Sequence, residues 1–327
     1  MDAEKRRILG IGGANLDIHA SLKAPAAPGD SNPSRFRMSA GGVMRNILED
    51  LSLLGESCVL MSAVGRDPFA GKILASCEAA GIDRSPVYVS PELSSSCYVD
   101  LLEPDGEMVI ACSDMEVIES MPLSHIEANA GYIKKARAIA VDGNLTRGQL
   151  EAILALAPPD IPVFADPVSA AKVMRFDGLL GRLALFKPNA LELEKISGIP
   201  CGALDPDKGP DRKAIGRAAD GLLSLGLERI AVSLGRHGCY FADSHGQRFF
   251  CSLSSPLTAL NTTGAGDAFM AGMMSGLLSG LSAQDAAARA LACGALTSAT
   301  PLTIDPALSA AAIDKLIQTS EIHLEVI

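Results

Sequence analysis

A chain of 327 residues that is 48% hydrophobic can bury a large core, as one big α/β domain or as two. Its net charge of −10 offers no basic field to nucleic acid or to an anionic membrane, and without tryptophan it has little from which to build a base-stacking platform. Eight cysteines without metal-ligand spacing, the lack of a secretory prologue and apolar stretches too broken to span a bilayer point to a cytoplasmic protein with reduced thiols and a small-molecule partner.

Arg7 to Gly13 reads as a short buried strand running into a turn, and Asn15 and Asp17 follow at its carboxyl end, the edge where open parallel sheets bind ligands. The Gly10-x-Gly12-Gly13-x-Asn15 pattern invites a dinucleotide reading, but the third glycine and the following helix of that fingerprint are missing. Residues 23–35 form a loop rich in Pro, Ala, Gly and Ser that ends at Phe36-Arg37-Met38. Ser39-Ala40-Gly41-Gly42-Val43-Met44-Arg45-Asn46 then leads into a helix through Leu54, stopped by Gly55. A glycine pair with Asn46 one turn later suits a tight turn, and equally suits backbone and amide groups set against a polyol. Cys58 to Val64 is a strand, and Asp67-Pro68 opens a helix to about Ala80. Ser96 to Leu102 and Glu107 to Cys112 flank Pro104-Asp105-Gly106, a hairpin set into an otherwise β/α rhythm.

From Arg137 strands and helices alternate. Ala138 to Val141 ends at Asp142-Gly143-Asn144, Thr146 caps a helix to about Ala157, and Pro162 to Ala165 ends at Asp166-Pro167. Leu183 to Phe186 delivers Lys187-Pro188-Asn189, and a helix follows from Ala190 to Ser197. Asn189 and Glu192 share one face at its start, either as an ordinary helix cap or as groups aimed at a ligand. Cys201 to Asp211 reads as a surface loop, Ile215 to Leu225 as a helix and Arg229 to Leu234 as a strand. Gly235-Arg236-His237-Gly238 turns into Cys239 to Ala242, with His237 a solvated turn residue. Helices are expected at about 268–280, 283–299 and 307–319.

Before the first of these lies Asn261-Thr262-Thr263-Gly264-Ala265-Gly266-Asp267. Glycines and small residues at a helix start let backbone N–H groups converge on an anion, where the helix dipole adds positive charge. Asp267 in the first turn can take a proton from a hydroxyl beside a bound phosphate. The plain alternative is a capped helix with glycines for close packing.

The run 261–267 resembles the C-terminal signature of the ribokinase-like (PfkB) family of sugar and nucleoside kinases, and Gly41-Gly42-x-x-x-Asn46 resembles its N-terminal signature. Asn189-x-x-Glu192 and Ser233-Leu234-Gly235 stand in family order between them. The resemblance implies a single domain, 1–327, with a three-layer α/β/α fold, a mostly parallel sheet and a small β lid built from about 15–40 and 95–113. It implies ATP-dependent phosphorylation of a hydroxyl. Asp267 would be the base, with Gly264, Ala265 and Gly266 forming the anion hole. Asn15, Asp17, Gly41, Gly42 and Asn46 would hold the sugar, with Ser113 and Asp114 at the hairpin end meeting an attached base. Lys187, Asn189, Ser233, Gly235 and Gly238 would contact ATP, and Asn189 with Glu192 would order Mg²⁺ through water. Asn261 replaces the family's usual Asp, which leaves open the monovalent-cation (K⁺) site many members build there. Arg45 before the motif Asn, the hairpin residues and Asn261 resemble the family's pseudouridine kinase branch. Ribose, another nucleoside or a ketose is the alternative acceptor, and a non-catalytic sugar or nucleotide sensor the alternative role. Lid edges in this family also imply a possible homodimer.

Overall fold

Strand β1 (Ile8–Ile11) is buried along its whole length, and its successive side chains go to opposite sides: Ile8 and Leu9 join different hydrophobic clusters. A strand apolar on both faces belongs inside a sheet covered twice, and the structure, a computed structural model describing residues 7–202, 209–254 and 257–327, has that form. After β1 the chain leaves the main sheet as β2 (Asn15–Leu22) and β3 (Ser34–Gly41), enters helix α1 (Val43–Leu53) and returns as β4 (Cys58–Met61), parallel to β1. Next, β5 (Ala63–Val64) and β6 (Tyr88–Val89) pair around α2 (Pro68–Ala79), and β7 (Cys97–Leu102) and β8 (Met108–Asp114) form the expected hairpin. Three short helices, α3 (Glu116–Glu119), α4 (Leu123–Ala128) and α5 (Ala130–Lys135), lead to β9 (Ala138–Asp142).

The alternating half follows as α6 (Arg147–Leu156), β10 (Val163–Asp166), β11 (Leu185–Phe186), α7 (Ala190–Ser197), α8 (Arg212–Ser224) and β12 (Arg229–Ser233). The chain then adds β13 (Cys239–Asp243) and β14 (Arg248–Leu253), the helices α9 (Ala265–Leu278), α10 (Ala283–Ser298) and α11 (Ala310–Thr319), and the edge strand β15 (Ile322–Val326). The nine-stranded sheet runs β15-β14-β13-β12-β11-β10-β9-β1-β4; from β4 to β12 every pair is parallel, and the last three strands are antiparallel. Residues of α4 to α8 pack on one face with Leu9, Ile139 and Ile230, and α1, α2, α9 and α10 cover the other with Ile8, Ala138 and Phe241. This is the three-layer α/β/α fold the pattern implies, with a mostly parallel sheet.

Beside it stands a four-stranded sheet, β3-β2-β7-β8. The Pro/Gly-rich stretch that reads as a loop to residue 35 is shorter, because Ser34 already pairs with Leu22. The strand expected over Cys58 to Val64 breaks at Ser62, whose hydroxyl donates to Gly12 O at 2.6 Å; beyond it the chain turns away to pair with β6. The short helices after β8 and the strands β14 and β15 carry weak periodicity and are absent from the sequence reading. Part of the connection expected over Cys201 to Asp211, residues 203–208, lies outside the described residues.

Helix α9 begins on Gly264, whose φ of 84° lies in the left-handed region. A Cβ there would also sit 2.0 Å from Thr303 O. Gly280, with φ 79°, has open space around its Cβ direction. Gly280→Ala is therefore expected to cost about 1 kcal/mol through backbone strain alone, and Gly264→Ala about 3 kcal/mol or more because strain and overlap add. Urea unfolding of both variants checks the difference; equal costs would show that the loop carrying Thr303 moves aside freely.

Candidate active site

Five strand ends meet at one edge of the main sheet, because parallel strands all deliver their carboxyl termini to the same side. Strand β1 brings Gly12 and Gly13, β9 brings Asp142, β10 brings Asp166, β11 brings Lys187, and β12 brings Ser233. Helices α1, α7 and α9 start at this edge as well.

Asp142 ties the first of these together. It is fully buried, and one carboxylate oxygen accepts from Gly13 N at 2.9 Å and Met44 N at 3.1 Å, while the other accepts from Asn144 N at 2.8 Å. Burial nevertheless pushes its pKa up to about 6. Helix α1 has no side-chain cap of its own, so Asp142 supplies the anion its first turn lacks.

At the other end of the cluster, Lys187 is almost wholly buried and pairs with Asp166 Oδ2 at 2.7 Å. Burial alone would lower the ammonium pKa, yet Asp166, Glu192 and Asp267 around it outweigh that and raise it. Its Nζ also donates to Gly266 O at 3.3 Å. The ammonium thus bridges the β10 end to the first turn of α9. Asp166 uses its second oxygen on Val168 N at 2.8 Å, and Val168 takes a φ of 69°, a strained conformation for a β-branched residue.

Asp267 sits in the first turn of α9, half-buried. No side chain caps this helix; Ala265 N donates to Thr262 O at 3.3 Å, and the amides of Gly266 and Asp267 follow it in the first turn at the cleft. Asn46 Nδ2, reaching from α1, donates to Asp267 Oδ2 at 2.8 Å. Burial and then Asp166 push the Asp267 pKa up to about 7, against the lowering effect of Asn46 and Lys187. Asn189 and Glu192 close a reciprocal cap on α7: Glu192 N donates to Asn189 Oδ1 at 2.9 Å and Asn189 N to Glu192 Oε2 at 2.8 Å. The Glu192 pKa is raised to about 7 by burial and by Asp166. Ser233 N donates to Pro188 O at 3.0 Å, which brings Ser233 alongside Asn189.

A cavity of about 440 Å³ opens from this point, lined by Asn189, Ser233, Gly235, Gly238, Ala265 and Gly266 and walled by Leu253, Phe269, Leu291 and Ala295. Polar backbone at one end and an apolar slot at the other suit a ligand with a charged tail and a flat apolar head. A larger recess of about 580 Å³, lined by Arg7, Leu9, Tyr132 and Lys134, lacks these carboxylates and helix termini.

The four-stranded sheet meets the site through β2. Asn15 donates to Asp17 Oδ1, and burial raises the Asp17 pKa although Asn15 opposes it. Gly41 makes room for that carboxylate, since a Cβ there would lie 2.1 Å from Asp17 Oδ2. Ser39, Tyr98 and Ser113 stand in register with Asp17 and share its face. Asp114 falls on the opposite face, exposed, with Oδ1 accepting from Glu116 N at 3.1 Å. Asn261 turns Oδ1 back to Thr263 N at 3.0 Å.

The structure thus draws Asp267, Asn46, Lys187, Asn189, Glu192, Ser233 and Gly264 to Gly266 into one edge, with Asp17, Asn15, Gly41 and Gly42 beside them. Asp142 and Asp166 have no role in the sequence reading. The available signal was a buried strand closing on Asp before a Gly or Pro turn. Asp50 was also missed. It is wholly buried on α1 and neither oxygen has a hydrogen-bond partner; burial, then Asp267, raises its pKa well above the carboxylate range. Among the described residues no group of three or more His, Cys, Asp or Glu could hold a metal, and no helix is long and apolar enough to cross a membrane.

The raised carboxylates have a signed consequence. A group whose folded pKa exceeds its unfolded value of about 4 keeps its proton only in the folded state, so its stabilising contribution disappears as pH rises from there through the folded value. Thermal stability should fall between pH 5 and pH 8. Asp50→Asn, which cannot ionise, should flatten the profile and raise the melting temperature at pH 8 by about 2 °C or more. Calorimetry across that range checks it, and an unchanged slope would mean that Asp50 is not a proton-holding group.

Residues 5–310 match the family profile described as pfkB family carbohydrate kinase. The chain is similar to the pseudouridine kinase of Escherichia coli, with 32% identity over 320 residues that cover 97% of this chain and 98% of that one. Among solved structures it is similar to a carbohydrate kinase from Agrobacterium tumefaciens (TM-score 0.83, 23% identity, covering 98% and 100%). It is also similar to a ribokinase of Arabidopsis thaliana complexed with ribose and ATP (TM-score 0.81, 19% identity, covering 96% and 99%).

Proposed function

We propose that this chain, which belongs to the pfkB carbohydrate kinase family, transfers the terminal phosphoryl group of ATP to the 5′-hydroxyl of a nucleoside, and that the nucleoside is pseudouridine. The observation that carries the reading is the placement of Asp267 beside the uncapped amides of α9, held by Asn46 from α1. A sensor needs an anion hole; it has no use for a carboxylate with a pKa near 7 beside it.

In this reading Asp267 Oδ1 receives the proton of the 5′-hydroxyl as the new O–P bond forms and the bond to ADP breaks. The amides of Gly264 to Asp267 receive the charge on the transferring group, and Lys187 adds a fixed positive charge at the same end. The adenine end takes the slot of Leu253, Phe269, Leu291 and Ala295. Asp17, Asn15, Gly42 and Asn46 hold the ribose, and the four-stranded sheet acts as the lid that keeps water from accepting the phosphate. Ser113, on the Asp17 face, contacts the base. Mg²⁺ fits this donor set: Asp166 and Glu192 crowd negative charge that a divalent cation bound with the nucleotide phosphates would relieve. Bound with the nucleotide it neutralises phosphate charge, and Asn189 with Glu192 would hold its water shell. On the other face of the lid Phe36, Met38, Val99 and Ile110 are exposed together, which supports a homodimer; light scattering at the 33.9 kDa of a single chain would remove it.

Asp267→Asn is expected to lower kcat by about 10³-fold while leaving the ATP dissociation constant within about threefold, measured by ADP release and by calorimetry. Because the base must be ionised, kcat/KM of the wild type should rise with pH through about 7. An ADP-release panel of pseudouridine, uridine, adenosine, ribose and fructose tests the substrate. The largest kcat/KM belongs to pseudouridine on this reading; turnover of ribose alone would overturn the nucleoside, and turnover of none the kinase.

A further inference from the structure

Arg45 is 3% exposed, and both terminal nitrogens of its guanidinium are spent inside the protein, while its buried Nε has no hydrogen-bond partner. Nη1 donates to Asn46 Oδ1 at 2.8 Å and to Ala40 O at 2.9 Å, and Nη2 donates to Ser76 Oγ at 2.7 Å and to Glu49 Oε2. It therefore clamps the start of α1 to the end of β3 and to α2. The contact with Asn46 has a consequence beyond packing. A carboxamide has an accepting end and a donating end of nearly equal size, and nothing in its shape prevents a half-turn. Arg45 only donates and the ionised Asp267 only accepts. With Arg45 on one side of the amide and Asp267 on the other, a single orientation satisfies both: Oδ1 toward Arg45 and Nδ2 toward Asp267 Oδ2, at 2.8 Å.

We propose that Arg45 is a positioning residue for phosphoryl transfer, which orients the Asn46 amide so that its NH₂ holds one oxygen of Asp267 and leaves the other to the acceptor hydroxyl. This rests on the reading of Asp267 as the base. Without Arg45 the amide can turn its oxygen to the carboxylate, and Asp267 loses the hydrogen bond that favours its charged form. The other groups that bear on Asp267 are Asp50 from α1, Asp142 and Asp166 at the ends of β9 and β10, and Lys187 after β11. Glu49 and Asp17 face Arg45 itself.

The test is the pH dependence of kcat/KM in Arg45→Met, Arg45→Lys, Asn46→Ala and the double variant Arg45→Met/Asn46→Ala. Arg45→Met should move the acid limb up by about one pH unit, hence about a tenfold loss on the acid side of the profile. Arg45→Lys, still a pure donor, should keep the limb near its wild-type position. In the Asn46→Ala background the Arg45→Met change should add no further shift, because the route through the amide is already gone. A limb unmoved by Arg45→Met, or moved equally in both backgrounds, overturns the proposal, the second result pointing to a direct charge effect. If Asn46→Ala itself leaves the limb in place, it is the assignment of Asp267 as base that fails. Should Arg45→Met not fold, Arg45→Gln, which presents either end of an amide, carries the same expectation.

Discussion

Lys187 carries a positive charge into a buried space shared by Asp166, Glu192 and Asp267, and much of the site follows from that imbalance. One cation cannot neutralise three carboxylates, so burial and repulsion from Asp166 leave Asp267 and Glu192 with pKa values of about 7. On the proposed reading of Asp267 as the base, a group poised there is ionised often enough to accept a proton and basic enough to want it. The same imbalance makes the edge receptive to the positive end of a helix, to a metal-bound phosphate, or to both. The amides at the start of α9 provide the first without any protonation step.

The sheet topology makes this crowding possible. Six parallel strands end at a common edge, so Gly13, Asp142, Asp166, Lys187 and Ser233, distant in the chain, become neighbours without long side-chain reaches. Asp142 shows how tightly that edge is drawn: its one carboxylate gathers the β1 turn, the first turn of α1 and its own β9 loop. Asn46 and Asp267 then meet because α1 and α9 lie side by side over the same face of the sheet. The strained φ of Val168 lies in this neighbourhood, next to the Asp166 that pairs with Lys187.

What could be read in advance followed local rules. The α9 start declares itself through Gly264 and the small residues around it, and the capping box of α7 through Asn189 and Glu192. The hairpin around Asp105-Gly106 and the alternation from Arg137 place most of the parallel strands. What escaped depends on long-range pairing. Asp142 and Asp166 look like ordinary strand ends until the strands are laid side by side. Asp50 looks like a solvated helix residue until α9 covers it. The apolar slot of Leu253, Phe269, Leu291 and Ala295 is assembled from three segments whose individual patterns only indicate burial. β14 and β15 form an antiparallel edge on a parallel sheet, an arrangement a β/α rhythm does not announce.

The central claim is that the amides opening α9 receive the migrating phosphoryl group while Asp267 receives the proton. A crystal structure with ADP, a planar metal fluoride and the nucleoside would place a phosphoryl mimic in flight. The account predicts fluorides at about 3 Å from the Gly264 to Asp267 amides and the 5′-oxygen at about 3 Å from Asp267 Oδ1. A mimic seated away from α9, or an Asp267 carboxyl turned out of the cleft, would contradict it.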